Sequence, residues 1–152
     1  MCIFWRTHKK QRQKMKQEQI MQIQMMEQEA NQLNEQLQLI EQNVSEMQEL
    51  KASLDEIENS DGKTEILANL GKRIYIPVEI KEKGKDLKLV VEVGRGNFVK
   101  KNISETKEVV DGQVDKLIQG KNQIMSRLEE LQTMMMRLVG EIEKEQMKGG
   151  EK

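Results

Sequence analysis

Apolar side chains at alternating three- and four-residue spacing run twice through this chain, and nothing else in the sequence constrains its fold as tightly. The first run is Ile23, Met26, Ala30, Leu33, Leu37, Ile40, Val44 and Met47, without a miss. Such a repeat lays one narrow apolar stripe along an α-helix, the seam of a coiled coil. At Leu50, Leu54 and Ile57 the spacing becomes three, four, three, which predicts a half-step slip in phase and a local change of supercoil. Asn59-Ser60-Asp61-Gly62 then supplies a polar and glycine stop. The second run is Val110, Val114, Leu117, Lys121, Ile124, Leu128, Leu131, Met135, Leu138 and Ile142, in which Lys121 is the polar exception. Ser104 before Glu105 is the expected N-cap of this helix, and Gly149-Gly150 frays its far end. Gly112, Gly120 and Gly140 inside it each cost about 1 kcal/mol relative to alanine, so packing against a partner helix has to hold it together.

The first helix is the natural partner. At about 45 residues each, the two would be roughly 65–70 Å long. If Ile57 lies near Lys107 in an antiparallel pair, residues whose numbers sum to roughly 164 face each other. Ile23 then falls beside Ile142, and both chain ends share one tip.

Composition supports extended helices over one globule. Of 152 residues 34% are charged and only 3% aromatic, too few large side chains to fill a single compact core. The net charge of -1 conceals segregation: residues 6–16 carry +6, 17–71 carry -10, 72–101 carry +5 and 102–152 carry -2. A basic centre between acidic arms predicts different partners for different regions, beside the simpler reading of solvated helix faces. One cysteine, Cys2, and one histidine, His8, cannot make an intrachain disulfide, a Cys/His zinc site or a Ser-His-Asp triad within one subunit. We expect no catalytic residue, no metal and no cofactor. No stretch reaches the roughly 18 apolar residues of a membrane span, and Met1 to Trp5 is shorter than a signal peptide's apolar region of about 7–15. The expectation is a cytoplasmic chain without a membrane partner.

Between the heptad runs the pattern turns to β-branched alternation. Arg73 to Ile80 reads as a strand with Pro77 at an edge or bulge, and Leu87 to Val93 as a clearer strand. Lys81 to Asp86 is the loop between them, Gly94-Arg95-Gly96 a tight turn, and Asn97 to Lys101 a further short strand. Thr64 to Leu70 is either a short strand or a helical turn. One or two hairpins alone are marginal in water, so these strands ask for pairing with other subunits.

The residues Leu70-Gly71, Tyr75-Ile76-Pro77, Leu87 to Val93 and above all Val93-Gly94-Arg95-Gly96-Asn97-Phe98-Val99-Lys100-Lys101 resemble the prefoldin family, specifically its α class. Its pattern there is a Val-Gly-x-Gly turn followed by a short apolar and charged strand, and the likeness in layout covers roughly residues 17–147. A four-strand centre points to the α class, because β-class subunits carry one hairpin. Arg73 departs from the small residue or glycine of many archaeal members. The resemblance implies an α+β fold: a long antiparallel helical-hairpin coiled coil joined by a small β-hairpin region that assembles into an inter-subunit β-barrel. It further implies an α2β4 hexamer with β-class prefoldin subunits. Such assemblies capture non-native polypeptides between coiled-coil tips without ATP and pass them to a group II chaperonin. The expected segments are a disordered basic leader 1–14, a helix 15–59, a hairpin region 60–102, a helix 103–147 and a disordered tail 148–152.

Methionine is the strongest site signal apart from the family. Met15, Met21, Met25 and Met26 lie near one end of the first helix, and Met134, Met135, Met136 and Met147 near the end of the second. Three consecutive methionines point in directions about 100° apart on a helix, so some must leave the seam. Flexible, polarizable methionines suit surfaces that bind many apolar segments, although they also fill gaps in loose coiled coils, the reading favoured for Met26 and Met135. The expected client contacts are Met21, Met25, Met134, Leu138 and Ile142. The expected barrel-assembly residues are Leu87, Leu89, Val91, Val93, Phe98 and Val99, with alternate members facing inward.

Other motifs carry less. Ile3, Phe4 and Trp5 ahead of the basic run Arg6 to Lys16 could extend the tip, anchor on a membrane or nucleic acid, or form a disordered leader before a true start at Met15 or another methionine. Gly94-x-Gly96 lacks the helix and Gly-Lys-Ser/Thr context of a phosphate loop. Lys81, Lys83, Lys85, Lys88, Arg95, Lys100 and Lys101 fit contact with an acidic protein or protection of sheet edges equally well. Few aromatics interleave with them, which argues against nucleic acid. The rival function is a coiled-coil scaffold of the same shape, holding one folded partner or a transcription complex.

Overall fold

The computed structural model describes residues 2–150. Its elements run α1 (Cys2–Glu58), β1 (Thr64–Gly71), β2 (Ile74–Ile80), β3 (Leu89–Gly94), β4 (Asn97–Lys101) and α2 (Ile103–Gly150). The chain divides into two compact units, Glu41–Ile118 and the two helical stretches Met1–Ile40 with Gln119–Lys152.

In the unit Glu41–Ile118 the end of α1 and the start of α2 run antiparallel around Leu54, Ile103 and Val110, which are at most 5% exposed. Met47, Ile57, Leu87, Leu89 and Val114 pack on this core. The seam keeps its four-three rhythm here, with Lys51 half-buried in the stripe and Leu50 turned out at 44% exposure. No half-step slip occurs at Leu50, because Lys51 can fill a seam position: its alkyl stem packs and its Nζ donates to Asp111 at 2.7 Å. Lys107, also in the stripe, bridges Asp55 and Glu58 from across the pair.

Helix α2 starts at Ile103, and its N-cap is Asn102, not Ser104. The Asn102 side chain accepts from the Glu105 backbone N–H at 2.8 Å, while the Glu105 carboxylate accepts from the Asn102 N–H at 3.1 Å. This reciprocal capping box satisfies two donors, and Asn102 is as good an N-cap as serine. The far end of α1 closes with the Ser60 N–H and hydroxyl both donating to the Ile57 carbonyl, at 3.1 and 2.7 Å, before Gly62 turns the chain at φ 91°.

The strands form two separate antiparallel hairpins, β1-β2 and β3-β4. Thr64 to Leu70 is therefore strand, with Ile66 opposite Val78 and Leu67 opposite Pro77. Bulges at Asn69/Gly71 and Glu92/Gly94 lead into the turns. Lys72 and Arg73 at the first turn, and Arg95 and Gly96 at the second, all have positive φ, which fits a hairpin turn matched to strand twist. Leu87 precedes β3 instead of opening it. The loop that carries it presses Gly84 on the end of α1, where the Gly84 N–H donates to the Ser60 carbonyl at 3.2 Å. A Cβ on Gly84 would lie 2.1 Å from the Ile57 carbonyl oxygen.

In the second unit, α1 and α2 pack antiparallel along Ile23, Met26, Ala30, Leu33, Leu37 and Ile40 on one side and Lys121, Ile124, Leu128, Leu131, Met135, Leu138 and Ile142 on the other. Leu131 is 1% exposed. Gly120 faces Ile40 across the pair, where a Cβ would meet the Ile40 Cδ1 at 3.8 Å, an ordinary contact that alanine could make. Residues 2–14 are helical, not a disordered leader, because glutamine, lysine, arginine and methionine are good helix formers and nothing in the sequence stops the helix before them. Likewise α2 continues through Lys148, Gly149 and Gly150, past the expected end at residue 147, while Glu151 and Lys152 lie outside the described residues.

Candidate functional site

Near the methionine clusters, Met25, Met26, Leu131 and Met134 line an open groove of about 600 Å³ together with Gln22, Glu29 and Arg127. Helix geometry explains the composition. Met26 and Leu131 are seam residues, and Met25 and Met134 stand one position outside it, so their flexible thioethers form the groove's rim. Arg127 closes one end, with Nε donating to Glu29 Oε1 at 2.8 Å and Nη1 to Glu130 Oε2 at 3.2 Å. The Glu29 bond, then the Glu130 bond, raise the arginine's pKa further, so it stays charged. The site is an open trough with an apolar stretch of Met25, Met26, Leu131 and Met134, flanked by Gln22, Gln28 and Gln32 and by the ion pair of Arg127 with Glu29.

Of the expected contacts, Met21 at 62%, Met25 at 67% and Met134 at 43% are exposed, while Leu138 and Ile142 are half-buried in the seam. Equal rise would place residue 138 opposite Met26 (164 − 26), yet Leu131 and Met134 share its groove, so the facing residues are shifted by about one to two turns. Met26 and Met135 are half-buried, as their seam positions require. Met136, 68% exposed, belongs with the accessible group and was signalled by its place in the Met134-Met135-Met136 run.

The hairpins present a second surface. Val93, Phe98 and Val99 are exposed, while Leu89 and Val91 alternate inward, as the strand period requires. Leu87 is committed to the helical core and is not a hairpin-face residue. The first hairpin adds Leu67, Leu70, Ile74, Tyr75 and Ile76, each at least 43% exposed. Its strand pattern was legible, but no assembly residue was drawn from it. Two-stranded sheets with this much exposed apolar surface lack a core of their own.

Among the described residues no group of histidine, cysteine, aspartate and glutamate side chains could hold a metal ion. Nor is any helix among the described residues long and apolar enough to cross a membrane.

The chain is 26% identical over 132 residues to "Prefoldin subunit alpha" of Archaeoglobus fulgidus, covering 87% of this chain and 94% of that one. Its fold is similar to that of a filamentous PFD from Methanocaldococcus jannaschii solved by cryo-EM, with a TM-score of 0.56 at 18% identity, over 82% of this chain and 95% of the other. The prefoldin subunit model matches residues 26–148, a span that takes in both hairpins, the second seam and the first seam from Met26 on, and the chain belongs to the prefoldin family.

Proposed function

We propose that this chain is an α-class prefoldin subunit, acting in the cytoplasm as an ATP-independent chaperone that captures unfolded polypeptides and delivers them to a group II chaperonin. Its two hairpins per chain support the α class. Their exposed residues, Val93, Phe98 and Val99 on the second hairpin, would join those of β-class subunits in the β-barrel of an α2β4 hexamer, with the half-buried Leu89 and Val91 backing them. Cofactors and covalent chemistry have no part in this mechanism.

The observation that carries the reading is the methionine-rimmed groove. Burying one such side chain is worth roughly 1.5–3 kcal/mol, so two or three contacts from one arm hold a client weakly. Several arms acting together bind it firmly yet reversibly. Methionine's lack of shape preference allows unrelated sequences to fit.

The test is the quadruple substitution M21Q/M25Q/M134Q/M136Q in the assembled complex, which keeps side-chain length and helix propensity while making the rim methionines Met25 and Met134 and the exposed Met21 and Met136 polar. We expect at least tenfold more complex to be needed to suppress aggregation of a denatured model protein, with native mass unchanged. Undiminished suppression refutes the groove as the capture site. Competition by one native folded protein, and none by denatured ones, would replace capture with the scaffold role.

A further inference from the structure

We propose that the amino-terminal end of α1 docks end-on at an anionic lipid surface, with Ile3, Phe4 and Trp5 at the boundary between headgroups and acyl chains and the basic residues behind them among the lipid phosphates. This inference is independent of the chaperone reading.

Three observations carry it. First, residues 2–15 are all exposed, with Ile3, Phe4 and Trp5 at 81%, 73% and 70%, and half-burial along the seam begins only at Lys16. This stretch of helix is therefore not covered by α2. Second, Arg6, Lys9, Lys10, Arg12, Lys14 and Lys16 follow with no acidic residue until Glu18. On the helix that forms here, Arg6 and Lys10, Lys10 and Lys14, and Arg12 and Lys16 are like charges four residues apart, which repel. A short uncovered helix under such repulsion is marginal in water and is stabilised by a surface that supplies negative charge.

Third, the apolar and basic groups are separated along the helix axis. At 100° per residue the six cations span about 200° of the circumference, and the arc they leave carries Phe4 and Met15 but also Thr7, His8 and Gln11, too polar a face for the helix to lie flat on. The apolar residues sit together at the tip. Three residues rise about 4.5 Å, which with side-chain length matches the roughly 5–10 Å depth of the headgroup and acyl boundary. Tryptophan favours that boundary, and lysine and arginine extend from it toward phosphates. The Thr7 hydroxyl, bonded to the Ile3 and Phe4 carbonyls at 3.0 and 2.9 Å, and the Phe4 ring 5.2 Å from the His8 ring join the first turns into one piece. A nucleic-acid groove would instead favour aromatics interleaved with the cations. The expected lack of a membrane partner rested on the missing span, and surface docking requires none.

Trp5 is the chain's one tryptophan, so its emission reports on this segment alone. The full chain is mixed at low salt with vesicles of phosphatidylcholine alone, or of phosphatidylcholine and phosphatidylserine in equal parts. A blue shift and at least tenfold stronger partitioning on the anionic vesicles are expected, both lost at high salt. K9E/K10E/K14E should abolish partitioning, and I3S/F4S should leave a salt-sensitive association without the blue shift. These positions lie outside every core contact, and circular dichroism checks that the helices persist. No shift on anionic vesicles, or an equal shift on neutral ones, overturns the proposal. A larger shift with nucleic acid or with an acidic unfolded polypeptide overturns it too, and assigns the segment to that partner.

Discussion

Replacing Gly84 with alanine isolates the contact that fixes the loop between β2 and β3 on the end of α1. The added Cβ would sit 2.1 Å from the Ile57 carbonyl oxygen, 2.5 Å from that of Glu58 and 2.7 Å from the Glu58 carbonyl carbon. All three are backbone atoms of the helix end, so no side-chain rotation relieves the overlap. Ordinary contact begins at 3.4 Å, and the loop must retreat by about 1.3 Å (3.4 − 2.1). That movement weakens the bond from Gly84 to Ser60, worth about 1 kcal/mol, and draws Leu87 partly off the Leu54 and Ile103 core for about 1–2 kcal/mol more. Residual overpacking adds about 1–3 kcal/mol, while the reduced freedom of the unfolded chain returns about 0.4–1. The net loss is about 2–5.5 kcal/mol, or roughly 4–22 °C in Tm for a chain of this size. Thermal unfolding followed by circular dichroism, at matched protein concentration because assembly contributes to stability, measures it. G140A is the control: a Cβ there meets nothing within 4 Å, and the variant should gain about 1 kcal/mol of helix stability. A G84A protein within about 0.5 kcal/mol of wild type would refute the close-approach argument.

Two further outcomes follow from the turns and the seam. Lys72 and Arg73 hold positive φ at 48° and 62° without glycine, so K72N/R73G should stabilise the β1-β2 hairpin by about 1–2 kcal/mol, read as slower amide exchange in β1 and β2. The hydrogen bond to Asp55, then that to Glu58, raise the Lys107 pKa above the ordinary 10.5, with their charges adding and burial opposing. A raised folded pKa means that this stabilisation is complete below 10.5 and is lost as pH rises through the higher folded value. The stability difference between wild type and K107M should therefore stay level from neutral pH to the lysine range and shrink above it in pH-dependent urea unfolding. A difference that shrinks already near neutral pH would show that Lys107 is not the titrating partner.

Long periodic signals were the most legible. Every seam residue from Ile23 to Met47 and from Val110 to Ile142 is half-buried or buried, because a stripe repeated over many turns leaves one face to pack. The stretch around Leu50 was misread because apolar character outranked phase. Leu50 is larger in hydropathy than Lys51, but the helix has only one seam, and a lysine with a carboxylate within reach can occupy it. The N-cap of α2 was placed two residues late because serine and asparagine cap equally well, and only the bond between Asn102 and Glu105 separates them. Leu87 read as strand from alternation alone, whereas contacts distant in sequence drew it into the helical core. The facing register near Met26 was misplaced because it assumed equal rise from a single anchor, and such an error grows with each turn.

The two seam lysines also act as a vernier. With Lys51 opposite Asp111 and Lys107 opposite Asp55 and Glu58, sliding α2 by one heptad in one direction carries Lys107 to the level of Lys51, setting ammonium against ammonium. Sliding it the other way carries Lys107 past Glu58, where α1 has ended. A repetitive apolar stripe tolerates many offsets, but these paired charges tolerate one, so the helices beside the hairpins can zip up in a single alignment.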